Sequence, residues 1–219
     1  MLPDWYLRIP PGPDLPRIIN VIVEIPKGRR CKFEVDKTTG LFKLDRYLYS
    51  SSMYPGDYGF IPQSLAEDGD PLDVLVMVNE PTFTGCLIEA RPLGLFKMTD
   101  KGDNDFKVLA VPADDPIFSE YDDLWRVPPH FLREVEHFFA TYKQLEGTVV
   151  EAQGWDSAVS AKAEIHKCID RYQKASDAEK ADAVPKSKPR STKRTRVSKA
   201  TSKTTKAAKK PARRRTKKT

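Results

Sequence analysis

The sequence predicts an α+β fold that is mainly β: a small barrel of short strands, two packed C-terminal helices and a disordered basic tail. Three observations support this prediction. Short apolar stretches are separated by turn residues roughly every 8 to 12 positions, which is typical of a small barrel rather than a parallel sheet. Two later stretches repeat apolar side chains with helical spacing. Finally, residues 184–219 contain 16 Lys or Arg and no Asp or Glu.

The composition separates an acidic body from this basic tail. Residues 1–183 contain 21 basic and 31 acidic residues, a net charge of −10, although the whole chain of 219 residues carries +6. A hydrophobic fraction of 39% is enough for one core. We therefore predict an N-terminal arm at 1–17, one domain at 18–176 and a disordered tail at 177–219.

The cysteines and the N-terminus indicate the compartment. Cys31, Cys86 and Cys168 are odd in number and far apart, so they support neither a disulfide framework nor a zinc site. The N-terminus lacks a basic and apolar signal segment, and no apolar stretch reaches the length of a membrane span. We predict a cytoplasmic protein with no membrane partner.

The apolar stretches place the strands of the barrel. The predicted strands are residues 18–25, 32–36, 41–49, 72–78, 85–98 with a break at Pro92, and 106–111. The turn at 26–30 makes 32–36 a return strand. Lys32, Glu34 and Asp36 share one face of it, because side chains alternate along a strand. Glu24 lies across this predicted hairpin and is expected near them.

Residues 50–62 are predicted to form an aromatic loop rich in turn residues. Within it, Tyr54 and Tyr58 are held by neighbouring Pro and Gly residues. Their hydroxyl groups could bind a ligand. The alternative is packing within the loop, which is the commoner role of an isolated aromatic residue.

Two amphipathic helices are predicted after the strands. The first begins at Pro128 and continues to Gly147, with Tyr142 on its buried stripe and Lys143 beside it. The second begins near Asp156, a residue type favoured at the N-cap. Its apolar stripe consists of Val159, Ile165, Ile169 and Tyr172. Most of these apolar residues are expected to pack against the barrel.

The stretch Asp68-Gly69-Asp70-Pro71-Leu72-Asp73-Val74 places three carboxylates where a loop becomes a strand. Unit charges about 4 Å apart interact by ~4 kcal/mol at an effective dielectric constant of 20, so such a cluster favours a bound cation. The alternative is a solvated turn, because Asp-Gly is a common turn dipeptide. An EF-hand is the weaker interpretation, since the twelfth position, which requires Glu, is Asn79.

A second acidic turn contains Asp100, Asp103 and Asp105. Four cationic residues are expected around the two turns: Lys32, Arg46, Lys107 and Lys143. Carboxylates next to an anion-binding cluster suit phosphate chemistry, and ligands that are all oxygen favour magnesium. The simplest mechanism is direct attack by a metal-activated water.

These residues together resemble the soluble family I inorganic pyrophosphatases. The family signature D-x-D-[PE]-x-D matches residues 68–73. Further blocks occur in family order, namely Val23-Glu24-Ile25-Pro26, Lys32-Phe33-Glu34-Val35-Asp36, Asp45-Arg46, Tyr54-Pro55-Gly56-Asp57-Tyr58-Gly59, Lys97-Met98-Thr99-Asp100, Lys107-Val108-Leu109-Ala110-Val111-Pro112 and His137-Phe138-Phe139-Ala140-Thr141-Tyr142-Lys143. The resemblance covers about residues 18–172.

The resemblance implies an OB-like five-stranded barrel that hydrolyses pyrophosphate to two phosphates with roughly three to four magnesium ions. Manganese is the alternative metal. By matched position, Asp68, Asp73 and Asp105 would hold the first metal, and Asp73 would bridge to the second. Asp70 would be the general base for a water between those two metals.

The resemblance also assigns the remaining site residues. Asp100 and Asp105 would hold a metal carried by the substrate, with Glu24 near a further metal and Glu34 in the outer shell. The phosphates would be bound by Lys32, Arg46, Lys107, Tyr142 and Lys143, while Tyr54 and Tyr58 would line the cavity.

Assembly and the tail are where the chain departs from the family pattern. Bacterial members are usually hexamers, so a homo-oligomer is expected, but the family often has a second histidine where this chain has Thr141. The contacts between trimers are therefore open. The tail resembles a linker-histone tail, and its cations are expected to bind nucleic acid, polyphosphate or the acidic body.

The sequence also bears on two rival functions. A nucleic-acid-binding protein on an OB-like barrel should have a basic groove, whereas residues 1–183 carry a net charge of −10. A magnesium phosphohydrolase for nucleotides is separable from a pyrophosphatase by substrate assay.

Overall fold

The computed structural model describes residues 8–36, 39–176 and 180. The described strands are β1 (Ile19–Ile25), β2 (Cys31–Val35), β3 (Phe42–Tyr47), β4 (Asp57–Phe60), β5 (Asp73–Val76), β6 (Leu87–Asp100), β7 (Asp103–Asn104), β8 (Lys107–Pro112) and β9 (Val150–Ser157). The α-helices are α1 (Pro129–Thr141) and α2 (Ala158–Lys174). The predicted disordered tail at 177–219 lies outside the described residues, apart from Lys180.

Five strands close into a ring. The pairing order is β1, β4, β5, β8 and β6, and β6 pairs with β1 again to complete the circuit. Every pairing is antiparallel except that of β5 with β8. The predicted five-stranded barrel with two C-terminal helices is therefore confirmed. Closure leaves these five strands with few unpaired edges, which protects them from pairing with another chain.

The predicted hairpin between residues 18–25 and 32–36 is wrong. β2 pairs with β3 in a separate two-stranded sheet. The physical reason is that both edges of β1 are already occupied, one by β4 and the other by β6. The β2–β3 hairpin therefore lies outside the ring.

Several predicted boundaries also differ from the structure. The expected loop at 50–62 contains the buried strand β4, and β6 continues through Pro92, with a register shift before Gly94 instead of a break. α1 ends at Thr141, before Gly147. α2 begins after Ser157, because Asp156 belongs to β9, and its Val159 is exposed instead of buried.

The core lies on two sides of the strands. In β5, Leu75 packs in the cluster that contains Phe138 and Phe139 of α1. Its neighbours Val74 and Val76 pack in the cluster that contains Ile165 and Ile169 of α2. This alternation follows the period of two along a strand. In β9 only Val150 is buried and most other side chains are polar, which explains why its sequence pattern did not predict a strand.

No helix in the described ranges is both long and apolar enough to cross a membrane.

Close packing of β4 against β1 generates a prediction at Gly59. A Cβ atom at position 59 would overlap the carbonyl oxygen of Ile22, which is backbone and cannot rotate away. Gly59→Ala should therefore lower the free energy of unfolding by about 3 kcal/mol. Gly28→Ala is the matched control, because its Cβ would enter open space and the cost is only that of its positive φ, about 1 kcal/mol. Equal losses in urea unfolding of the two variants would contradict the prediction.

Candidate active site

The strand topology brings the two acidic turns to one end of the ring. β5 follows the first turn and β8 follows the second, and these strands are parallel neighbours with Asp73 opposite Lys107. The chain segments that enter two parallel neighbours lie at the same edge of a sheet. β6 is antiparallel to β8, so its last residue, Asp100, also lies at this edge.

Lys107 lies between two of the predicted metal ligands. Its Nζ donates hydrogen bonds to Asp73 Oδ2 and Asp105 Oδ1, and its side chain is 3% exposed. Burial alone would lower the pKa of Lys107, but the carboxylates of Asp105 and Asp73 together raise that pKa well above its usual value. The ammonium group is therefore charged at neutral pH and holds both carboxylates.

Lys143 connects the second acidic turn to the end of α1. Its Nζ lies 2.7 Å from Asp100 Oδ2, and both side chains are largely buried. The ammonium group is also 5.0 Å from the ring centroid of Tyr142, the residue that caps α1. The early end of this helix therefore places Tyr142 and Lys143 at the acidic turns.

Glu24 is directed by a β-bulge in β1. Val23 lies opposite Gly59 and Ile25 lies opposite Tyr58, which leaves Glu24 as the extra residue. Its side chain is buried, and among the described residues Oε1 has no hydrogen-bond partner. Burial raises the pKa of Glu24 well above its usual value, although the charge of Lys32 offsets part of this rise.

The β2–β3 hairpin supplies the other two cations. Lys32 lies opposite Arg46, and its Nζ is 2.5 Å from Glu34 Oε1. Arg46 is 2.6 Å from Asp45 Oδ2 through one terminal nitrogen and 3.3 Å from Glu146 Oε1 through Nε. Glu146 is not among the site residues predicted from the sequence. Its place one helical turn after Lys143, itself a predicted site residue, is the signal that points to it.

Three buried tyrosines form an aromatic layer beside these charges. The ring centroids of Tyr54 and Tyr58 are 5.1 Å apart, and Tyr54 lies 4.8 Å from Phe138 of α1. Burial raises the pKa of the hydroxyl groups of Tyr54, Tyr58 and Tyr142, so all three remain protonated at neutral pH and can donate hydrogen bonds. Packing of the loop tyrosines is thus observed, and their contact with a ligand stays a prediction.

The first acidic loop is held by its own backbone. The Asp70 N–H donates to Asp68 Oδ1 at 3.1 Å, and the Ala66 N–H donates to the Asp70 carbonyl at 2.8 Å. Partial burial and the nearby Asp73 carboxylate both raise the pKa of Asp68. Asp70 contributes to the raised pKa of Glu24, so the loop and the bulge of β1 belong to one electrostatic cluster.

The donor set fits a hard cation in its chemistry. All predicted ligands offer carboxylate oxygens, which suit magnesium or manganese. In the described ranges, no three His, Cys, Asp or Glu side chains converge tightly enough to hold a metal ion in this conformation. Lysine ammonium groups are instead the counter-ions of Asp73, Asp105 and Asp100. One oxygen each of Glu24 and Glu34 is buried without a hydrogen-bond partner, as expected of carboxyl groups that bind a cation.

Comparison with known proteins places these features in one family. A family model described as inorganic pyrophosphatase matches residues 21–173, which include nearly all of the ring, both acidic turns and nearly all of α2. The inorganic pyrophosphatase of Picrophilus torridus is 44% identical over 170 residues, which cover 78% of this chain and 96% of that protein. The inorganic pyrophosphatase of Halalkalibacterium halodurans is 48% identical over 158 residues, covering 72% of this chain and 97% of that protein.

A solved structure gives the same result. The crystal structure of inorganic pyrophosphatase from Thermus thermophilus has a TM-score of 0.73 and 42% sequence identity, and the match covers 75% of this chain and 97% of that one. The relatives are thus matched over nearly their whole length, and the matched region of the family model ends before the basic tail. The chain belongs to the inorganic pyrophosphatase family.

Proposed function

We propose that this protein hydrolyses inorganic pyrophosphate to two phosphates, with magnesium as its metal and water as the nucleophile. The observation that carries the proposal is the parallel pairing of β5 with β8, which places the carboxylates of two acidic turns around Lys107 and Lys143. Membership of the inorganic pyrophosphatase family supports the reaction.

The cations would bind the substrate phosphates. Lys32, Lys107 and Lys143 are each ion-paired with a carboxylate, as is Arg46, so their positions are fixed before substrate enters. Negative charge accumulates on the leaving phosphate during phosphoryl transfer, and cations that are already in place stabilise it. The Tyr142 hydroxyl, with Tyr54 and Tyr58, would donate further hydrogen bonds.

The carboxylates would bind the metal ions and accept the proton of the attacking water. The ligands would be Asp68, Asp73, Asp100, Asp105 and Glu24, with Glu34 in the outer shell and roughly three to four ions in total. Bound magnesium neutralises the carboxylates and lowers the pKa of water towards neutrality. Asp70 lies between two proposed ligands in the loop and would accept the proton of the attacking water.

We also propose that the chain forms a homo-oligomer, with the hexamer favoured, and works in the cytoplasm. Large apolar side chains on the β2–β3 hairpin side are exposed, among them Tyr47 and Tyr49, and supply surface for association. Cys31, Cys86 and Cys168 are free thiols, as is usual in a reducing compartment.

The direct test is magnesium-dependent release of phosphate from pyrophosphate, measured for the full chain and for a version that ends at Ala183. Both forms should release phosphate, because the family match ends before the tail. Nucleoside triphosphates assayed in parallel test the nucleotide phosphohydrolase alternative. Absence of release from pyrophosphate by both forms would contradict the proposal.

Asp70 is expected to act as a base and not as a ligand. Asp70→Asn should lower kcat by about 10²- to 10⁴-fold, the usual contribution of a general base, while the magnesium concentration for half-maximal activity changes little. Asp114→Asn, an exposed aspartate on a distant turn, is the matched control and should leave both quantities unchanged. Weakened magnesium binding with normal turnover at saturating metal would show that Asp70 is a ligand.

The buried Glu24 should make the metal-free protein sensitive to pH. The pKa of Glu24 is higher in the folded state than in the unfolded state. At low pH its carboxyl group is protonated in both states and costs no stability. As the pH rises above the unfolded-state pKa towards the folded-state pKa, the free energy of unfolding falls. Glu24→Gln should therefore melt at the wild-type temperature near pH 4 and at a higher temperature at pH 8. Glu89→Gln, exposed on β6, is the control. Equal shifts at both pH values would contradict this account.

The basic tail, residues 184–219, is proposed to bind nucleic acid or another polyanion. Its 16 cations are uninterrupted by acidic residues, and it has no aromatic residue to stack on bases. Binding should therefore be electrostatic and depend little on sequence.

This electrostatic binding makes a salt-dependence prediction. Duplex DNA should bind the full chain and not the version that ends at Ala183. Between 50 and 200 mM salt the affinity should fall by about a thousandfold or more, as for proteins that contact roughly six to ten phosphates. Fluorescence anisotropy titrations with two unrelated sequences give the measurement. Binding that is insensitive to salt would rule out counter-ion release as its source.

A further inference from the structure

The first acidic loop is fastened to the last turns of α2 through Leu65. The Leu65 N–H donates to the Cys168 carbonyl at 3.0 Å, and the Leu65 carbonyl accepts a hydrogen bond from an Arg171 terminal nitrogen at 2.5 Å. Both backbone groups of Leu65 are therefore bound by the helix. Asp68 follows three residues later, so the helix fixes where the carboxylates of the loop begin.

Arg171 also reaches the second acidic turn through Glu67. Its other terminal nitrogen lies 3.8 Å from Glu67 Oε1, and Glu67 Oε2 accepts a hydrogen bond from Asn104 Nδ2 at 2.8 Å. Asn104 belongs to β7 and immediately precedes Asp105. One guanidinium group thus contacts the backbone of the first loop and, through one carboxylate, is connected to the second turn.

We propose that Arg171 is a positioning residue that sets the separation of the two acidic turns and thereby the affinity of the site for its metal. The proposal rests on the function proposed above, and Arg171, Glu67 and Asn104 are not among the residues assigned to metal or phosphate. The planar guanidinium group directs one terminal nitrogen to the Leu65 carbonyl as a hydrogen-bond donor and the other to Glu67 as an ion pair, a two-sided geometry that a lysine cannot reproduce. Residues that orient metal ligands typically change metal affinity or activity by about 10- to 100-fold when lost.

The test compares Arg171→Met with Lys174→Met in the full-length protein. Lys174 is an exposed cation in the same last turn of α2, so its variant removes the same charge without the contact to Leu65. In metal-free protein, amide hydrogen exchange at residues 64–70 should be at least about tenfold faster in Arg171→Met. The dissociation constant for Mn²⁺ alone, measured by electron paramagnetic resonance, should rise by about tenfold. Lys174→Met should match the wild type in both.

Kinetics and a double variant complete the test. Arg171→Met should require about tenfold more magnesium for half-maximal phosphate release and should recover near wild-type kcat at saturating magnesium. Adding Glu67→Gln to Arg171→Met should cause little further loss of magnesium affinity, because the two side chains contact each other and their effects are coupled.

Three outcomes decide between the proposals. Exchange rates and Mn²⁺ affinity that are equal in the Arg171 and Lys174 variants would overturn the positioning role. Faster exchange throughout the strands, with a lowered melting temperature and a uniform loss of kcat, would show that Arg171 only stabilises the fold, which also overturns it. If Arg171→Met shifts loop exchange and Mn²⁺ affinity but the wild-type protein does not hydrolyse pyrophosphate, the positioning role of Arg171 is supported and the proposed function is contradicted.

Discussion

Charge pairing at one end of the ring is the constraint on which this structure depends. Moving a lysine or carboxylate out of water costs on the order of several kcal/mol unless a partner of opposite charge is close. Lys107 meets this requirement with Asp73 and Asp105 together, and Lys143 does so with Asp100. The parallel neighbours β5 and β8 make the first arrangement geometrically accessible, because they bring both acidic turns to one edge.

The same constraint explains why the surrounding elements end where they do. α1 stops at Thr141, and a short 3₁₀ turn at 144–146 follows, so Lys143 can reach Asp100 and Glu146 can reach Arg46. In β1, the bulge at Glu24 brings this carboxyl group into the same electrostatic cluster, where it interacts with Lys32 and Asp73.

Sequence patterns predicted the features that depend on local chemistry. A small barrel and two helices followed from turn spacing, alternation and helical spacing. The strand number of five and the family followed from the resemblance, which residues 68–73 and the further sequence blocks carry together. The pairing of β2 with β3 was not predicted from sequence, because the neighbours of a strand depend on which edges of the other strands are already paired. β9 was missed because most of its side chains are polar or exposed and its apolar pattern is weak. Arg171 and Glu67 are far apart in sequence, and only the docking of α2 joins them.

The balance of charge at the site argues that metal must accompany the substrate. The proposed site contains seven carboxyl groups, those of Glu24, Glu34, Asp68, Asp70, Asp73, Asp100 and Asp105, against four cations, Lys32, Arg46, Lys107 and Lys143. The carboxylates still outnumber the cations when Glu24, whose pKa is raised by burial, is counted as protonated. Asp45 and Glu146 add two more negative charges next to Arg46. An anionic substrate would therefore be repelled by a site without divalent ions. Each divalent ion adds two positive charges and satisfies carboxylate oxygens such as Glu24 Oε1. The carboxylates and the anion-binding lysines are thus complementary parts of one proposed site, which would attract phosphate only after cations have entered.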